Sequence, residues 1–235
     1  MTTQKKAKPV RYTSPKGTFR YPALVKPDYG TEEFPKPNGE FKVQLILNEA
    51  DNQDFINKMQ VLHDAAVEEG KKKFSELKVE QRKKLKELKV SDLFAVEYDK
   101  ETEEPTGNVI FKFSTSASGK NQKGEEWKRT IPLFDAKGKK VSLPAVGGGT
   151  LGKVSFEASP YFVAGQGMAG VKFYLTAVQV LELRTYGGGN AEEYGFGEEE
   201  GFDGIESEAE SNGFGDESGE GESSGDSSEA PNEDF

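Results

Sequence analysis

KVSFEASPYFVAGQGMAGVKFYLTAVQVLELRTY, residues 153–186, decides the architecture. Val154, Phe156 and Ala158 alternate with polar neighbours, the period-two pattern of a strand with one buried face. GVKFYLTAVQVLELRTY reads as a second long strand, and the glycine-rich AGQGMAG between them is a turn. Working upstream, VIFKFSTSAS at 109–118 alternates in the same way. Val109, Phe111 and Phe113 share one face, and Ile110, Lys112 and Ser114 the other. EFKVQLIL at 40–47 repeats the pattern, with Phe41, Val43 and Leu45 opposite Lys42 and Gln44. GTFRYPALV at 17–25 is also β-prone.

The connectors complete the frame. KPDYG at 26–30 reads as a turn and TEEFPKPNG at 31–39 as a loop, because Pro35 and Pro37 bar regular structure. Asn38-Gly39 is a strong turn pair. From Asp51 to about Lys89 the period changes: Phe55, Met59, Leu62 and Ala66 share one helical face. Asn48 is placed to cap this helix, and Gly70 is a candidate break. Glu49, Asp51 and Asp54 at its start and Lys83, Lys84, Lys86 and Lys89 at its end complement the helix dipole. His63 flanks the apolar face, a structural position rather than a catalytic one. GKNQKGEE, DAKGKK and LPAVGGGTLG are loops between further strands. Several strands, one helical insertion and glycine-rich loops predict a mainly β fold, an OB-fold-like five-stranded partly open barrel.

Composition narrows the chemistry. The chain has no Cys and a single His, which excludes disulfides, thiolate nucleophiles and the usual Cys/His zinc sites. No run approaches the ~18 apolar residues of a membrane helix, and the start lacks the apolar core of a secretory signal. A cytoplasmic protein that uses no cofactor is expected. The net charge of −10 conceals a segregation. Residues 191–235 hold 17 of the 41 carboxylates and no Lys or Arg; residues 1–190 hold the other 24 and all 31 bases, a body of +7 against a tail of −17. Three regions follow: a basic flexible arm (1–13), a barrel domain (14–190) and a disordered acidic tail (191–235), too polar to offset its ordering entropy. Tyr194, Phe196, Phe202, Phe214 and the terminal Phe235 interrupt that tail, and Asp234-Phe235 is a charged, apolar hook suited to a partner pocket.

Bases beside aromatics on strands are what binding of single-stranded nucleic acid requires: cations for the phosphates and rings for the bases. The charge candidates are Lys42, Lys112, Lys128, Arg129, Lys153 and Lys172. Trp127 and Tyr161 are the stacking candidates, each at a strand or loop edge with a polar group suited to a half-wet site. Phe111, Phe113 and Phe173 are further stacking candidates, with core packing the favoured reading of each. GGGTLGKV at 147–154 fits G-x-x-x-x-G-K, but Val154 stands where a phosphate-binding loop needs Ser or Thr, and a strand follows where it needs a helix. A nucleotide hydrolase is therefore not expected, and no carboxylate spacing marks an enzyme.

VKPDYGTEE, GEFKV, FKFSTSAS, DAKGKK, GGGTLGKVSFEASPYF, VLELRTYGGG and the terminal EDF together resemble the single-stranded DNA-binding proteins of T-odd podophages and related tailed phages. The resemblance implies an OB-fold that binds single-stranded DNA without sequence choice in phage DNA replication, recombination and repair, including strand annealing. It implies a tail that masks the DNA groove, aids homodimerisation and contacts the replicative DNA polymerase and helicase-primase, in the infected bacterial host. Lys112 and Tyr161 match family residues at the DNA surface, and Phe235 matches the family's aromatic end. Asn38 and Ser114 stand where the family has basic residues, so compensating charge is expected at Lys36, Lys128 or Arg129. A competing reading is an acidic chaperone or DNA mimic that acts through the tail, with the body as scaffold.

Overall fold

Strand alternation sends one face of each long strand inward and closes it against the next. The computed structural model describes residues 10–185. In chain order the strands before the helices are β1 (Arg11–Thr13), β2 (Gly17–Gly30) and β3 (Pro35–Asn48). A single 3-10 turn (Ala50–Asn52) leads into α1 (Gln53–Ser75) and α2 (Val79–Leu85). Then come β4 (Lys89–Val90), β5 (Ala95–Tyr98), β6 (Pro105–Ser116), β7 (Ser118–Lys120) and β8 (Glu126–Lys128). The chain continues through β9 (Leu133–Phe134), β10 (Lys140–Val141), β11 (Leu151–Val163) and β12 (Met168–Glu182).

Five of these strands form the barrel. Long antiparallel ladders join β2 to β3, β3 to β6 and β11 to β12. Two short seams close the ring: Thr18 and Gly17 of β2 against Leu151 and Gly152 of β11, and Phe113 and Ser114 of β6 in parallel with Phe173 and Tyr174 of β12. The expected OB-type barrel is present, and it is closed rather than partly open. β7 and β8 form a separate two-stranded ribbon.

The inward faces are those the alternation marked. Phe19, Val43, Leu45, Phe111, Phe113, Phe156 and Leu175 are fully buried. Ring centroids lie 4.8 Å apart for Phe113–Phe156 and 5.2 Å for Phe156–Phe173, so the barrel is filled by interlocked phenyl groups. Each such burial is worth about 1.5–3 kcal/mol.

α1 lies over one end of this core. Ile56, Met59, His63, Ala66 and Gly70 are its buried residues, and Phe55 packs edge-on against Phe111 at 5.3 Å. Asn48 Oδ1 accepts from the Asp51 amide at 3.1 Å and so caps the 3-10 turn that begins the helical region. Gly70 does not break α1. A Cβ there would come within 2.3 Å of the Ala169 Cβ, so the glycine lets the helix lie directly on β12. The break falls between Ser75 and Val79 instead.

Three local readings need correction. KPDYG and residues 35–39 are not turn and loop: β2 runs on to Gly30 and β3 begins at Pro35. The two strands pair there only at Asp28–Glu40 and Gly30–Pro35, across register shifts, so Pro35 and Pro37 sit where few ladder amides are needed. Asn38-Gly39 is not the turn; Gly39 takes a positive φ of 63° inside β3, and the reversal is at residues 31–34. Finally, residues 11–13 of the supposed flexible arm pair with β11, and Tyr12 stacks on Phe156 at 5.7 Å. Residues 1–9 and the acidic tail lie outside the described residues.

Candidate nucleic-acid interface

Because the inward positions are odd-numbered in β3 and β6, their even-numbered neighbours face out. Register then aligns outward residues from different strands. Lys42 opposes Ser114 and Gln44 opposes Lys112. Ser114 lies beside Tyr174 across the β6–β12 seam, Tyr174 opposes Glu157, and Glu157 opposes Arg11. One transverse row thus crosses β3, β6, β12, β11 and β1.

A first cleft of about 400 Å³ lies to one side of this row. Lys112, Ser114, Tyr161 and Lys172 line it, with residues 91–95 as a wall. Tyr161 is half-buried, and Lys112 and Lys172 are exposed. Neither lysine has an ion-pair partner among the described residues. His63 anchors the wall from beneath, its Nε2 lying 2.7 Å from the Ser91 carbonyl oxygen. A carbonyl only accepts, so Nε2 carries the proton. His63 is buried, and what its ring holds is residue 91 of the cleft wall.

The second cleft, about 570 Å³, continues the first. Thr115 and Ser116 follow Ser114 along β6, and Tyr174 to Thr176 follow Phe173 along β12. Trp127 and Arg129 form another side. The ribbon fixes Trp127: its ring lies across Gly119, where a Cβ would come within 2.7 Å of the indole. The Arg129 guanidinium sits 5.2 Å from the same ring's centroid and donates to the Thr115 hydroxyl. Lys128 lines a smaller recess with Asn38 and Lys120.

Lys42 and Lys36 are in a different state. Asp28 accepts from Lys42 at 2.6 Å and from Lys36 at 3.0 Å, and Lys36 also reaches Glu40. The hydrogen bond from Lys42, then those from the Gly30 amide and Lys36, hold the Asp28 carboxyl well below its ordinary range. Burial pushes Glu40 upward, but hydrogen bonds from Lys36 and Ser114 and the charges of Lys36 and Lys172 outweigh it and lower it. The charge expected to have moved to Lys36 is therefore matched by two carboxylates.

Lys153 stands apart. It opposes Gln179, whose amide donates to the Asp135 and Ala136 carbonyls, and it lines neither cleft. The glycine-rich loop before it leads into a strand, and its Gly147 amide donates to the Arg184 carbonyl at 2.6 Å. A Cβ would come within 2.8 Å of the Arg184 carbonyl oxygen at Gly147 and within 2.5 Å of the Gln179 carbonyl oxygen at Gly152, so these glycines permit close packing. Asp234 and Phe235 lie outside the described residues. The residues missed are Tyr174, Arg11 and the 91–95 wall. Tyr174 had a signal, since Phe173 and Leu175 facing in leaves it facing out.

The family model for the single-stranded DNA-binding protein of bacteriophage T7 matches residues 17–183. A single-stranded DNA-binding protein of Enterobacteria phage T3 is 33% identical over 190 residues, 78% of this chain and 80% of that protein. Its counterpart in Escherichia phage T7 is 32% identical over 185 residues, 76% and 78% of the two chains. The crystal structure of gp2.5, a single-stranded DNA-binding protein encoded by bacteriophage T7, matches with a TM-score of 0.59 at 29% identity. That match covers 74% of this chain and 93% of that one. The barrel, the register of its outward residues and these matches lead to one conclusion: the chain belongs to the single-stranded DNA-binding protein family of bacteriophage T7.

Proposed function

We propose that this chain binds single-stranded DNA without sequence choice, along the two clefts that run across the β6–β12 seam. The observation that carries the reading is the convergence of Lys112 and Lys172, neither ion-paired among the described residues, with Tyr161 in one cleft, which continues to Tyr174, Trp127 and Arg129. Cations neutralise phosphates and release counterions, while rings stack on bases irrespective of their identity. The names of the phage relatives support the same activity.

In this proposal the protein acts in DNA replication, recombination and repair, strand annealing included, inside the infected bacterium. The acidic segment 191–235 competes with DNA for the basic body. The flexible coil that its composition predicts would span ~40 Å, giving an effective concentration on the order of millimolar. Its end, Asp234-Phe235, recruits the polymerase and helicase-primase, and two copies associate as a homodimer. The role needs no catalytic turnover.

Fluorescence anisotropy with labelled oligo-dT at two salt concentrations tests this, comparing the full chain with a truncation ending at Asn190. The truncation is expected to bind more tightly, and both forms should weaken steeply with salt. Failure of both to bind at low salt would overturn the proposal.

A further inference from the structure

We propose that the DNA track continues past the second cleft onto a third contact surface, where Phe134 stacks a base and Lys140 and Lys153 hold the flanking phosphates. The inference deepens the interface proposed above and rests on it.

Register builds this surface. Lys153 of β11 opposes Gln179 of β12, Gln179 lies beside Phe134 of β9, and Phe134 opposes Lys140 of β10. Their neighbours set the direction of the row. Gly152, Val154, Val178, Val180 and Leu133 are buried, so the residues that alternate with them turn outward. Val141, which opposes Leu133, packs against the core, and Lys140 before it is exposed. Phe134 is half-buried. A second transverse row thus crosses four strands, with a ring inside it and a lysine at each flank. It lies five residues along β12 from Tyr174, about 16 Å at the usual strand rise.

The path to it carries no charge. From Tyr174 the next outward residue on β12 is Thr176, which lines the second cleft and donates to the Ser155 hydroxyl at 3.0 Å; Gln179 follows. Asp135, next to Phe134, is turned into its own hairpin: its Oδ1 accepts from the Lys137 and Lys139 amides at 2.9 and 2.8 Å. The Gln179 amide donates to the Asp135 and Ala136 carbonyls. That ties the hairpin to β12 and keeps its exposed Lys137 and Lys139 next to the row. None of these four lysines has an ion-pair partner among the described residues.

A structural role leaves this set unexplained. The turn uses Asp135 as its acceptor and Gly138 for its φ of 78°; it has no need of three lysines or of a ring on the solvent side. Cations around an aromatic are what a single strand needs, and a phenyl ring has no hydrogen-bonding group with which to choose a base. The surface therefore lengthens the track without adding sequence preference.

The test titrates the full chain with labelled oligo-dT of about 6 and about 16 nucleotides by fluorescence anisotropy. The short oligomer fits within the two clefts, and the long one reaches the third surface. Lys140→Ala combined with Lys153→Ala should weaken the long oligomer and reduce its salt slope by about 1.4, two phosphate contacts on a single strand. Phe134→Leu keeps apolar packing and removes the ring; it should cost about fivefold to tenfold on the long oligomer. Neither variant should change short-oligomer affinity by more than about twofold, which also shows that each is folded. Equal losses on both lengths, or an undiminished long-oligomer affinity, would overturn the third surface while leaving the two clefts standing. Failure of the wild type to bind either length would sink both.

Discussion

Two groups of lysines share the outer face of this barrel, and they differ in what holds them. Lys36 and Lys42, on β3, are tied to Asp28 and Glu40. Lys112 and Lys172, on β6 and β12, have no such partner among the described residues and stand beside Tyr161. In sequence the groups look alike, each a lysine alternating with apolar residues. In the fold the first completes a β-hairpin, and the second lines a cleft with no carboxylate partner among the described residues. A surface cation thus acquires its role from the carboxylates that the topology brings near it.

The largest effect that could break this contrast is at the aromatic. Tyr161→Ala should weaken oligo-dT binding by about 1–3 kcal/mol, the usual worth of one stacked base, in an anisotropy titration. Loss of less than twofold would remove Tyr161 from the interface. Next, Lys112→Ala should lower affinity and reduce the slope of log K against log salt by about 0.7, one phosphate contact on a single strand. Lys42→Ala should leave that slope nearly unchanged; an equal reduction by both would erase the distinction between the groups.

Asp28→Asn sharpens it from the other side. With the carboxylate gone, Lys42 becomes available, and the salt slope should steepen by up to about the same 0.7. The smallest effect is on stability. Asp28 titrates below its ordinary range when folded, so its contribution is complete above about pH 4 and is lost as pH falls through the lowered value. Thermal melts should find Asp28→Asn less stable than the parent at pH 7. The two should converge only in strongly acidic buffer; convergence near neutrality would mean that the network does not stabilise the hairpin.

How much of this was legible in sequence depended on range. β3, β6, β11 and β12 announce themselves by alternation, and so do the residues each turns outward, Lys112 among them. Tyr161 was legible as a polar-tipped ring at a strand edge. Asp28 as the partner of Lys42 was not, because 14 residues and a hairpin separate them. The hairpin itself was misread: prolines and Asn-Gly signal a turn only if the strands around them need every amide, and these do not. β4 and β5 are two and four residues long and carry no periodicity to read. The clefts join across a parallel seam between strands distant in the chain, which no local pattern encodes.

That seam has a mechanical meaning. The barrel is a ribbon of long ladders fastened to itself at two places, each only two residue pairs long. One fastening, Phe113–Phe173 and Ser114–Tyr174, lies under the track assigned to DNA. In the proposed binding mode, a strand of DNA laid over it would grip β6 from one side and β12 from the other and act as a staple. On that proposal the bound state would be a stiffer cylinder than the free one, with the cargo serving as the hoop.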